Sequence, residues 1–68
     1  MNLDKLIEKI LKATYPLEVF TIKNYKKEYL EMVKLLHPDV CHHPKTNDVL
    51  IKLNELRRQL EEMLAMED

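Results

Sequence analysis

The chemically most versatile residues of the chain lie in one short segment, residues 37–43, which reads His-Pro-Asp-Val-Cys-His-His. Imidazole, thiolate and carboxylate groups are zinc ligands, and a thiol beside an imidazole is one arrangement of an activated nucleophile. The spacing argues against both uses. Cys41, His42 and His43 are consecutive, no second cysteine exists, and no third orienting group or oxyanion donor is evident. We therefore expect no metal, no cofactor and no catalytic residue, so that the protein is not an enzyme.

A docking role suits the first three residues of this segment better. Pro38 fixes one backbone dihedral angle, which lowers the entropy lost on binding. The carboxylate of Asp39 can accept a bidentate arginine from a partner, and His37 can both donate and accept hydrogen bonds at neutral pH. The simpler alternative is a helix stop, in which Pro38 ends a helix and Asp39 begins a turn.

Three amphipathic helices are predicted to position this segment, at approximately residues 3–13, 22–36 and 47–66, with a loop at 37–46. Apolar residues recur at helical spacing in each, and the Pro-containing breaks at 14–16 and 37–38 separate them. Thr21 is a candidate N-cap of the second helix. The connection at 17–22 is apolar enough to pack on the core, and a short strand is an alternative there. The chain lacks glycine, which makes tight β-hairpins costly.

The fold class predicted is therefore all-α, a single small domain of three helices. A loop of about ten residues lets the second and third helices pack as an antiparallel hairpin. The tripeptide His37-Pro38-Asp39 would then lie at the tip of the hairpin, and the first helix would cover its apolar side. The third helix carries a coiled-coil-like seam, formed by Val49, Leu53, Leu56, Leu60 and Met63.

Composition narrows the partners. The chain has 68 residues and a net charge of −1, so no bulk attraction to nucleic acid or to a membrane surface is expected. The basic and acidic residues are too evenly divided between the two halves for a phosphate-binding footprint. No apolar stretch approaches the ~20 residues of a membrane span. A single cysteine suits a reducing compartment, and we expect a cytoplasmic monomer.

The tripeptide in this setting resembles the J-domain of DnaJ-type co-chaperones. Tyr25-Lys26-Lys27-Glu28-Tyr29 is similar to the opening of the family's second helix. Leu53-Asn54-Glu55-Leu56 is similar to its third-helix segment with an Asn-Glu pair, and Asn54 follows Asp39 by a typical 15 positions. The resemblance covers residues 11–63, and the first helix only loosely.

The resemblance implies a function. Members of the family bind the ATPase domain of a seventy-kilodalton heat-shock chaperone near its interdomain linker, and they stimulate its ATP hydrolysis. The residues that match the family's chaperone-binding positions are His37, Pro38, Asp39, Lys26, Lys27 and Asn54.

The chain also departs from the family pattern. Leu30 and Glu31 occupy positions that are usually basic, Val40 replaces the usual basic residue after the tripeptide, and the usual glycine after the first helix is missing. The predicted second helix carries four lysines against two glutamates. These departures suggest weak binding to a typical chaperone or a preference for a specialised one. The alternative hypothesis is a divergent J-like interaction module that activates no chaperone.

Overall fold

The computed structural model describes residues 3–66, and this part of the chain is helical with no strand. The helices are α1 (Leu3–Lys12), a single 3₁₀ turn (Pro16–Glu18), α2 (Tyr25–Leu36) and α3 (Thr46–Ala65). The prediction of an all-α chain with three helices is confirmed. Residues 1, 2, 67 and 68 lie outside the described residues.

α3 is the central element, because α1, the 3₁₀ turn and α2 all pack against it. Its seam is buried as predicted along four of the five positions, with Met63 only half-buried. Phe20 is fully buried and its ring lies 6.4 Å from that of Tyr29, in a tilted arrangement. One apolar core results, and its buried members are Ile7, Ile10, Ala13, Val19, Phe20, Leu36, Cys41, Val49, Leu53, Leu56 and Leu60.

Two contacts fix the direction of α2 relative to α3. The Tyr25 hydroxyl donates a hydrogen bond to Oε2 of Glu61 over 3.3 Å. One turn further along α2, the guanidinium of Arg57 lies 4.8 Å from the ring centre of Tyr29. A step of four residues forward in α2 thus corresponds to four residues backward in α3. The two helices are antiparallel, and residues 37–45 join them at one end of the hairpin.

α2 begins at Tyr25, three residues later than the predicted start at residue 22. Thr21 is not its N-cap. Instead, the Glu28 carboxylate accepts the Thr21 backbone N–H at 2.8 Å and the Thr21 hydroxyl at 3.0 Å. This side chain reaches back from the first turn of the helix, so the residues between Thr21 and Tyr25 form a turn. The other two helices differ less from the prediction. α1 ends one residue earlier than predicted, and α3 begins and ends one residue earlier.

The connection between α1 and α2 contains a 3₁₀ turn, so the alternative of a short strand is wrong. Glu18 organises this turn, because its Oε2 accepts the backbone N–H groups of Thr14 at 2.7 Å and Tyr15 at 2.9 Å. Both bonds lower the pKa of the Glu18 carboxyl, and the bond from Thr14 has the larger effect. No residue among 3–66 has a positive φ, which explains how the chain folds without glycine.

Candidate functional site

The tripeptide forms a compact turn directly after α2. His37 leaves the helix with φ −59° and ψ 138°, the extended conformation that a following proline favours. Its carbonyl oxygen then accepts two backbone N–H groups, from Val40 at 2.9 Å and from Cys41 at 2.8 Å. We call residues 37–41 the tripeptide turn. Its conformation is therefore set by bonds within the turn itself.

A further bond inside the turn determines which ring nitrogen of His37 is the hydrogen-bond donor in the neutral imidazole. The Asp39 backbone N–H donates to Nδ1 of His37 over 3.1 Å, so Nδ1 provides a lone pair. In the neutral imidazole the proton is then on Nε2. Nδ1 also lies 3.5 Å from Oδ2 of Asp39, a separation that becomes an ion pair only when the ring is protonated.

The two polar side chains of the turn are exposed to solvent. The side chain of His37 is 52% exposed and that of Asp39 is 88% exposed. Val40, which follows Asp39, is also exposed, but Leu36 before the turn and Cys41 at its end both belong to the core. The turn thus exposes one hydrogen-bond donor and one carboxylate, and the buried residues Leu36 and Cys41 hold its two ends against the core.

The remainder of the loop is fixed by a second set of bonds. Nδ1 of His43 accepts the Lys45 backbone N–H at 3.0 Å, and its Nε2 lies 3.8 Å from the Asp4 carboxylate of α1. The buried Thr46 hydroxyl donates to the His43 carbonyl oxygen at 2.8 Å. An open groove of about 430 Å³ lies between α1 and this part of the loop, and the tripeptide does not line it.

Lys26 and Lys27 lie in the first turn of α2, and both are exposed. The ammonium of Lys26 is 6.0 Å from the ring centre of Tyr25. Ten residues separate Lys27 from His37, a rise of about 15 Å along the helix. Because Lys23 precedes the observed helix, α2 carries three lysines against two glutamates, a smaller surplus than the predicted second helix had.

Asn54 has a different position from the other predicted site residues. It is exposed on α3, and its side-chain oxygen accepts Nη2 of Arg57 over 2.7 Å. Arg57 also donates to Glu61 over 2.7 Å while it stacks on Tyr29. Eight residues separate Asn54 from the first residue of α3, a rise of about 12 Å. Its observed contacts thus hold the arginine that joins α2 to α3, away from the tripeptide turn.

We call this network the inter-helix clamp; it consists of Tyr25, Tyr29, Asn54, Arg57 and Glu61. Sequence reasoning missed it. The signal that could have found it is the i, i+3, i+7 spacing of Asn54, Arg57 and Glu61 on one face of α3.

The histidines and the cysteine of the loop are used separately. Among residues 3–66, no three His, Cys, Asp or Glu side chains are grouped as they would be to hold a metal ion. Cys41 is buried at the end of the turn, His37 contacts Asp39, and His43 contacts Lys45.

Comparison of the chain with protein-family models, with curated proteins and with solved structures gave no match. Within the described residues, none of the helices combines the length and the apolar character needed to cross a membrane.

Proposed function

We propose that the protein is a J-type co-chaperone module, which docks on the ATPase domain and linker of a seventy-kilodalton heat-shock chaperone and stimulates its ATP hydrolysis. The observation that carries the proposal is the tripeptide turn. It offers the His37 imidazole and the Asp39 carboxylate, both exposed, at the end of an antiparallel helical hairpin. Lys26 and Lys27 add positive charge on the helix that leads to it.

The chemistry of the turn suggests how it would engage the partner. The Asp39 carboxylate accepts a cationic side chain, for which a bidentate arginine is the best match. The Nε2–H of His37 donates to an acceptor on the partner. Because the turn is already held by the bonds from Asp39, Val40 and Cys41, little loop entropy is lost on docking.

In this proposal the protein makes and breaks no covalent bond. It favours a hydrolysis-competent conformation of the chaperone by binding that conformation more tightly than others. The buried free thiol of Cys41 is compatible with a reducing compartment such as the cytoplasm.

Single-turnover ATP hydrolysis by the chaperone, measured with and without this protein, tests the proposal. We expect the parent protein to accelerate hydrolysis, and we expect Asp39→Asn and His37→Gln to abolish the acceleration. His42→Gln is the matched control, because His42 is exposed in the same loop and belongs to no contact described above. Full stimulation by Asp39→Asn would contradict the role of the turn.

A second candidate function is an interaction module that activates no chaperone. The observation in its favour is the small charge surplus of α2, where Leu30 and Glu31 replace basic residues of the family pattern. Such a module would bind its partner through other surfaces. A partner whose affinity is unaffected by His37→Gln and Asp39→Asn would support it.

A further inference from the structure

The outer face of α2 carries an exposed leucine with lysines at three of its four neighbouring helical positions; the fourth is the half-buried Val33. Leu30 is 58% exposed although it lies in the middle of the helix. Lys26 lies four residues before Leu30, Lys27 three residues before it, and Lys34 four residues after it. All three lysines are exposed. Side chains at these spacings are neighbours on a helix surface. We call Leu30 and the three lysines the lysine-bordered leucine.

The charges of this surface are available to a partner. Within residues 3–66, the ammonium groups of Lys27 and Lys34 form no ion pair, and Lys26 contacts only the ring of Tyr25. Glu28 lies two residues before Leu30, on another face of the helix, and its charged carboxylate accepts hydrogen bonds from Thr21. The remaining acid on this side of α2 is Glu31, which neighbours Lys27 and Lys34 in the helix. Three lysines against one glutamate leave a local surplus of two positive charges.

The fold gives no reason for this arrangement. Leu30 is not among the core residues or the apolar residues packed against the core. A single exposed leucine is common on protein surfaces, so the argument depends on its lysine neighbours. A purely apolar partner surface would desolvate these lysines without compensation. The lysines can keep their ammonium groups at the rim of an interface, so the surface that best matches Leu30 and its neighbours is an apolar recess with carboxylates around it.

We infer that Leu30 is a specificity-determining contact of the proposed function, and that it inserts into an apolar recess bordered by Asp and Glu side chains on the chaperone's ATPase domain. The inference rests on the proposed function and adds the requirement that the chaperone has such a recess. If the chaperone surface were uniformly acidic at this place, lysine or arginine at position 30 would bind it more tightly than leucine does. The lysine-bordered leucine thus selects among chaperones, while the tripeptide turn activates the one selected.

The two kinds of residue should affect binding kinetics differently. Exposed charges mainly change the association rate and its dependence on salt. A buried apolar anchor mainly changes the dissociation rate, as most interface substitutions do. Leu30 and its lysine neighbours can therefore be distinguished in one kinetic experiment.

The experiment measures binding of the full chain to the ATPase domain and linker of a chaperone that the parent protein stimulates, by surface plasmon resonance at two salt concentrations. We expect Leu30→Ser to raise Kd about tenfold to hundredfold through faster dissociation. This rise corresponds to the loss of the free energy gained by burying one leucine side chain. Lys27→Ala should slow association and weaken its salt dependence. Ile51→Ser is the matched control, because Ile51 is 64% exposed and belongs to α3 rather than to α2.

The outcomes separate this inference from the proposed function. An unchanged Kd for Leu30→Ser would overturn the inference, whereas loss of stimulation in Asp39→Asn would still support the co-chaperone function. An equal loss of affinity in Ile51→Ser would also overturn it, since the effect would then be general surface hydrophobicity. A parent protein that neither binds nor stimulates any chaperone tested would overturn both. Circular dichroism melts of each variant establish that the fold is intact.

Discussion

The tripeptide turn and the inter-helix clamp are both polar networks on the same helical hairpin, but they are built in opposite ways. Every bond of the turn joins residues at most four positions apart, and its side chains are exposed. The clamp joins residues separated by up to 36 positions, and the Tyr25–Glu61 and Arg57–Glu61 bonds within it are partly buried. The turn maintains its own shape, whereas the clamp maintains the register of two helices.

In the proposed function, this difference separates recognition from stability. A change in the turn should alter the surface that the chaperone contacts, and it should leave the packing of α2 against α3 intact. A change in the clamp alters the packing itself, and through it the direction in which the turn is presented. We therefore expect substitutions in the two regions to have opposite profiles in assays of unfolding and of chaperone stimulation.

Arg57→Ala tests the clamp and should have the largest effect on stability. It removes the stacking on Tyr29 and the bonds to Glu61 and Asn54. We expect the free energy of unfolding to fall by about 1–2 kcal/mol, measured by urea denaturation. Arg58→Ala is the control, because Arg58 makes only exposed bonds to Glu55 and Glu62 within α3 and should leave stability nearly unchanged. Equal effects of the two substitutions would contradict the clamp.

Glu18→Gln should have a smaller and pH-dependent effect. The bonds from Thr14 and Tyr15 lower the pKa of the Glu18 carboxyl in the folded state. The stabilisation is therefore complete above the unfolded carboxyl pKa of about 4.3 and is lost as the pH falls through the lower folded value. Thermal melts should show a destabilised variant at pH 7 and a smaller difference near pH 3. A difference that is the same at both pH values would show that charge is not involved.

His37→Gln should have the smallest effect on stability, within about 0.5 kcal/mol of the parent protein. The side chain is half exposed, and the two bonds to the His37 carbonyl oxygen do not depend on the residue type. Thermal denaturation followed by circular dichroism measures this directly. A large destabilisation would contradict the difference between the turn and the clamp, because loss of stimulation could then result from loss of the fold.

Helical periodicity was sufficient to predict the three helices and most of the core, since both follow from apolar residues spaced three and four apart. It failed at the start of α2, where the Glu28 side chain reaches back seven residues to Thr21, a tertiary preference that local propensity does not contain. The tripeptide turn was predictable because Pro38 acts locally. The clamp was predictable only in part. The spacing of its α3 residues is visible in the sequence, but the contact between Arg57 and Tyr29 is defined only after α2 and α3 have packed in register.

The buried position of Cys41 gives the protein an internal probe of loop opening. Its side chain is 6% exposed, and its backbone N–H closes the turn on His37. A thiol reagent can reach the sulfur only when this part of the chain opens, so the alkylation rate reports the opening equilibrium in the way that hydrogen exchange reports it for amides. Any partner that grips the turn would slow labelling of the same thiol. Under the proposed function, labelling of Cys41 would therefore report occupancy of the turn, although the buried thiol itself would not touch the partner.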